Sequence, residues 1–120
     1  MFWKGSGLVV LLAAVALVAA VSAFGRASVT TTIATTAGKP SEFRFTLAKR
    51  TIPKGTAVFK VTNKGTTAHD FKIAGKKTVR LSPGKTATLK VLLAKAGKYA
   101  FLCTVPGHAP AGMKGVLVVK

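Results

Sequence analysis

Beyond its initiator methionine, the 120-residue chain offers few soft or imidazole donors: one cysteine, two histidines and one methionine. Three of them are spaced five residues apart in Cys103-Thr104-Val105-Pro106-Gly107-His108-Ala109-Pro110-Ala111-Gly112-Met113. The fourth, His69, lies far upstream at the start of the segment leading to Phe71 and Ile73. A thiolate, two imidazoles and a weak thioether form the donor set of mononuclear copper centres that carry one electron. Cu(I) favours soft sulfur and low coordination, whereas Cu(II) favours nitrogen. A mixed set suits both states, so little has to move when the electron arrives or leaves. Zinc is the main metallic competitor, but structural zinc prefers several Cys or His ligands in a closed tetrahedron, and this set matches that poorly. Taken singly, each residue has an ordinary explanation: a buried Cys or Met as core filler, a His as a hydrogen-bonding group. Their joint spacing favours a metal.

The compartment makes Cys103 more conspicuous. Met1-Phe2-Trp3-Lys4 is a short, weakly positive start, an unbroken apolar run spans Leu8 to Val21, and Val21-Ser22-Ala23 supplies small residues for cleavage. This pattern predicts a signal peptide over residues 1–23 and export to the periplasm or cell exterior. The run is shorter than the roughly 20 residues of a membrane span; left uncleaved, residues 8–24 would be a membrane tether. No Cys follows the run, which argues against a lipid-anchored lipoprotein. A single Cys cannot form an internal disulfide, and an odd thiol in an oxidising compartment must be buried or bound.

The elements that position these donors read as short strands. Ala57, Phe59 and Val61 alternate inward, as do Ala87, Leu89, Val91 and Leu93 and then Tyr99, Phe101 and Cys103. The same alternation predicts that Phe43, Phe45 and Leu47 share a buried face and that Phe71 and Ile73 form an inward pair. Pro53-Lys54-Gly55, Asn63-Lys64-Gly65, Ser82-Pro83-Gly84-Lys85 and Ala96-Gly97-Lys98 are turns by composition. Gly115 to Val119 is a last apolar strand, and Val29 to Thr36 reads as either a first strand or part of a tether. No helical period is sustained beyond the leader. The expected fold is an all-β Greek-key sandwich or barrel, preceded by an N-terminal signal helix. The expected organisation is a strand or linker over 24–41 and one domain over 42–120.

Nineteen Lys and Arg against two acidic residues give a formal charge of +17. The lysines sit at turns and strand ends along the chain (Lys54, Lys64, Lys85, Lys95, Lys98) and not in one cluster. No recognition-helix pattern or aromatic–Arg interleaving accompanies them, so nucleic acid is not the expected partner. Acidic redox proteins or anionic surfaces are.

The run Tyr99 to Gly115 resembles the copper loop of the cupredoxins, the type 1 blue-copper proteins that include plastocyanin and azurin. Its four-residue gaps on either side of His108 are closest to the longer-loop members auracyanin, rusticyanin and sulfocyanin. Upstream, Gly55 to Gly65 followed by His69-Asp70-Phe71 is similar to the segment in which that family places its first copper histidine. The resemblance covers Phe43 to Lys120. It implies one type 1 copper ion with His69, Cys103 and His108 as equatorial ligands and Met113 as axial ligand. It also implies an apolar patch around His108, here Pro106, Gly107, Ala109, Pro110 and Ala111, as the electron's exit, ringed by lysines such as Lys64 and Lys114. The residue after the first His, often Asn in the family, commonly pairs with the Ser or Thr after the Cys; Asp70 and Thr104 are the matching residues. Asp70 is either a charge near the metal, favouring Cu(II), or a surface charge in a turn.

The resulting expectation is an exported, monomeric electron carrier that is not an enzyme and shuttles between redox proteins with acidic docking surfaces. Two histidines leave none for a second copper site, and two acidic residues leave little for acid–base hydrolysis. The alternative is a periplasmic or extracellular copper-binding or delivery protein, although such proteins tend to carry extra Met or His clusters.

Overall fold

A computed structural model describes residues 28–120; the expected leader lies outside the described residues. Nine strands run in chain order: β1 (Thr30–Ala37), β2 (Phe45–Leu47), β3 (Thr51–Ile52), β4 (Gly55–Asn63), β5 (Lys72–Ile73), β6 (Lys76–Lys77), β7 (Thr86–Leu93), β8 (Gly97–Leu102) and β9 (Lys114–Val119). They form two sheets, β2-β1-β4-β7 and β3-β9-β8-β5-β6. The chain changes sheet five times, at β2–β3, β3–β4, β4–β5, β6–β7 and β7–β8, so sequence neighbours repeatedly face each other across the core. This is the expected all-β Greek-key sandwich.

The period of two explains the layers. In β4, Ala57, Phe59 and Val61 are buried while Lys60 points to solvent. In β7, Leu89, Val91 and Leu93 are buried while Lys90 and Leu92 are exposed. Register joins the two patterns: Ile33 of β1 pairs with Phe59 of β4, which pairs with Leu89 of β7, giving one inward row across three strands. Val29 to Thr36, which the sequence leaves as strand or tether, falls almost wholly in β1 (Thr30–Ala37), an interior strand parallel to β4 and antiparallel to β2. Its β-branched threonines and isoleucine suit a pleated surface.

Four aromatic rings floor one end of the core. Phe71 lies 4.9 Å from Phe59, 5.3 Å from Phe45 and 5.4 Å from Phe101, centroid to centroid. Two of these rings sit two residues from a donor, Phe71 from His69 and Phe101 from Cys103, and along β8 the strand period that buries Phe101 points Cys103 the same way. One sequence expectation fails. Phe43 is not on the buried face with Phe45 and Leu47; it is 37% exposed, because β2 begins only at Phe45 and Phe43 belongs to the loop before it.

Candidate metal centre

Cys103 follows directly on β8, at the next inward position after Phe101, and is buried. The loop it opens is hydrogen-bonded to itself. Cys103 N–H donates to Met113 O (3.1 Å), Met113 N–H to His108 O (3.1 Å), and His108 N–H to Val105 O (3.0 Å). These bonds close the two five-residue intervals into compact turns and hold all three side chains at one end of the sandwich.

His69 comes from the opposite side, on the connection between β4 and β5. It is pinned by a two-way backbone bridge with Leu81: His69 N–H to Leu81 O at 3.1 Å and Leu81 N–H to His69 O at 2.7 Å. Asn63, fully buried at the end of β4, shapes the approach. Its amide donates to Thr67 O and Leu81 O, both at 2.8 Å, and its Oδ1 accepts from Gly65 N–H at 2.9 Å. One side chain thus ties the loop to the Leu81 segment with every polar atom engaged.

The structure brings together all four residues singled out in the sequence. Nδ1 of His69 and Nδ1 of His108 are 3.1 Å apart, and Cys103 Sγ stands 4.0 Å and 3.7 Å from them. Met113 is completely buried and packs with Cys103 and Ala37 in a small apolar cluster. His69 is fully buried, while His108 is half-buried. Two nitrogens and a sulfur converging from different segments, with both imidazoles presenting the same ring nitrogen, fit a metal that takes mixed N and S donors.

Burial acts on both the thiol and the outer imidazole. Burial pushes the Cys103 thiol above its ordinary value, an effect that the Asp70 charge reinforces and hydrogen bonds from the backbone of Asp70 and Val105 oppose. Burial likewise holds His108 below the usual histidine value, helped by the neighbouring His69. A metal at the site must therefore displace the thiol proton, which couples its uptake to pH.

Asp70 is not a surface charge in a turn. It is 2% exposed, and its carboxylate accepts from Thr104 N–H at 2.6 Å and from the Thr104 hydroxyl, while its own N–H donates to Cys103 Sγ at 3.5 Å. The Asp70–Thr104 pair thus stitches the His69 segment to the Cys103 loop. With two carboxylate oxygens satisfied by two Thr104 donors, acceptor-only Asp does the stitching with Thr104 as sole donor.

Three residues at the site escaped the sequence reading. His69 Nε2–H donates to Glu42 Oε2 at 2.5 Å. The same carboxylate accepts from the backbone and hydroxyl of both Thr66 and Thr67 at 2.8–3.2 Å. The Phe43 ring stands edge-on to His108, centroids 4.9 Å apart at 64°. Arg44 Nη1 reaches the carbonyl of Gly112, next to Met113, at 3.3 Å. A signal for Glu42 existed: it is one of only two carboxylates in a chain with 19 cationic side chains, and Asp70 is the other.

Comparison with known proteins comes to the same place. The family model for the cupredoxin-like domain matches residues 7–119. The copper-resistant cuproprotein CopI of Pseudomonas aeruginosa is 44% identical over 43 residues, which are 36% of this chain and only 24% of that protein. Reduced auracyanin from Roseiflexus castenholzii superposes with a TM-score of 0.58 at 26% identity, covering 79% of this chain and 99% of its own. Rusticyanin from Thiobacillus ferrooxidans gives a TM-score of 0.65 at 24% identity over 76% of this chain and 77% of its own.

Proposed function

Since the chain belongs to the family of cupredoxin-like domains, we propose that it is a mononuclear blue-copper protein that passes single electrons between redox partners. The observation that carries this reading is the donor cluster: His69, Cys103 and His108 offer ligand atoms all within 4.8 Å of one another, beside a buried Met113. His69, Cys103 and His108 would hold the ion through two nitrogens and a thiolate, with the Met113 thioether as a weaker fourth donor. Copper supplies the Cu(II)/Cu(I) couple; the chain supplies a site that changes little between the two states. Self-bonded loop turns, the Asn63 anchor and the Asp70–Thr104 stitch restrain every donor, and the buried setting keeps water from the thiolate.

His108 is the more exposed imidazole, with Phe43 against its edge and Pro106, Ala109 and Pro110 nearby in sequence. An electron would leave by this route, to a partner able to approach an apolar face at little desolvation cost. The cationic surface would steer partners with acidic docking faces. Export by the leader over residues 1–23, a domain over 42–120 extended by the β1 segment, a monomeric state and the lack of enzymatic activity belong to the same proposal.

The likeness to CopI favours a second reading, copper binding for resistance or delivery. A ligand set with His69, Cys103 and Met113 all buried supports the carrier instead, because delivery needs ready exchange of the ion.

The test is to add Cu(II) to the purified protein and record visible and EPR spectra. The expected result is an intense red-absorbing thiolate-to-copper band with a narrow hyperfine splitting, absent in Cys103→Ala. A colourless protein, or a band that survives in Cys103→Ala, would sink the assignment.

A further inference from the structure

Four of the five hydrogen bonds that Glu42 accepts come from consecutive residues, Thr66 and Thr67, and the fifth comes from the far side of the His69 ring. His69 has two ring nitrogens. Nδ1 faces Cys103 and His108, and Nε2 faces Glu42. A carboxylate at Nε2 requires a proton there, because two acceptors would otherwise meet at 2.5 Å. That leaves the Nδ1 lone pair as the one the ring can give to a metal.

The surroundings are built to allow this contact. Gly65 stands so close that a Cβ on it would collide with Glu42 Oε2 and come within 2.8 Å of His69 Nε2. The carboxylate is a quarter exposed, yet both its oxygens are held by five donors. Among the described residues no lysine or arginine takes it as a partner. The charge is directed at the histidine.

We propose that Glu42 is the positioning residue of the metal centre: it locks His69 in the Nε2–H form, aims Nδ1 at the metal, and feeds negative charge through the ring so as to favour Cu(II). This rests on the copper reading above for its redox part alone. Outer partners of metal-bound histidines fix the tautomer and raise ligand basicity, and losing one typically costs about 10- to 100-fold in metal affinity. A more basic ligand stabilises the more highly charged ion, so the cost falls on Cu(II) more than on Cu(I).

Two variants and two measurements test it. In the copper-loaded protein, Glu42→Gln and Glu42→Ala are expected to weaken Cu(II) binding by about 10- to 100-fold and Cu(I) binding by less, raising the reduction potential in protein-film voltammetry. Unchanged Cu(II)/Cu(I) affinity ratios and potentials in both variants would overturn the redox part. In the ¹⁵N NMR spectrum of the metal-free wild-type protein, His69 should carry a slowly exchanging Nε2–H. In Glu42→Ala that proton should exchange fast. A wild-type His69 without a proton on Nε2 would overturn the positioning role, and this result stands even where a variant folds poorly. Because the second measurement needs no copper, failure of the copper assignment and failure of the Glu42 assignment give different results. A merely structural Glu42 would shift the melting temperature and leave the Nε2–H exchange and the potential alone.

Discussion

Cys103 shows how one side chain can serve two opposed requirements. As a thiol it is a small buried apolar group against Met113 and Ala37, and burial holds its proton on. As a thiolate it would be the strongest donor in the site. The sign of its effect on stability follows from that shift. With a folded-state value above the ordinary 9.0 of the unfolded chain, the group opposes folding only where the unfolded thiol ionises first. The metal-free protein is therefore expected to keep its full stability below about pH 9 and to lose some as pH rises through the folded-state value. Cys103→Ser should lose less over the same alkaline range, measured by urea unfolding at stepped pH. Equal losses in the two proteins would mean that the buried thiol is not the group responsible. Asp70 carries the complementary lesson: a buried charge is tolerable here because Thr104 answers both its oxygens from a neighbouring segment.

Strands carry the site, but two glycines let the loops meet. Gly38, just past β1, has φ +85°, and a Cβ there would lie 2.5 Å from both Cα and N of Gly65. The chain leaving β1 and the chain leaving β4 thus cross backbone to backbone, beside the contact between Glu42 and His69. Gly38→Ala combines strained φ with a clash against main chain, for an expected loss of about 1–3 kcal/mol. Gly84→Ala is the control: its φ is +84°, but nothing lies within 4 Å of the added carbon, so it should cost less. Similar urea midpoints for the two variants would show that the crossing is loose. The crossing also explains what the sequence could and could not reveal. The strands were legible because alternation is local, and Phe59, Leu89 and Phe101 sit inward as the period requires. The four donors were legible because three share one loop and the fourth is the chain's one other histidine, on the connection leading into β5. Glu42 was not, since its partner lies 27 residues away and meets it only through the Gly38–Gly65 approach. Phe43 misled because it continues the alternation of Phe45 and Leu47 one step beyond the point where pairing with β1 stops.

At the scale of the whole molecule, charge is sorted by sign. Both carboxylates, Glu42 and Asp70, are engaged at the metal centre, while lysines and arginines face solvent on both sheets. Long-range attraction to anionic partners should follow, and salt should weaken it, because the screening length shrinks from about 30 Å at 0.01 M to about 8 Å at 0.15 M. Reduction of the Cu(II) protein by an anionic metal complex, followed by stopped flow, is expected to slow markedly over that range, while reduction by a cationic complex speeds up. Two salt-independent rates would remove electrostatic steering from the account. The loop from Cys103 to Met113 has a different kind of reach. Its bonds from Cys103 to Met113, Met113 to His108 and His108 to Val105 are all main chain to main chain, and none needs an ion to form. Main-chain bonds do not depend on which side chain each position carries. A variant that gives up one donor can therefore keep the shape of the loop, so loss of the ligand and loss of the fold are separable by mutation.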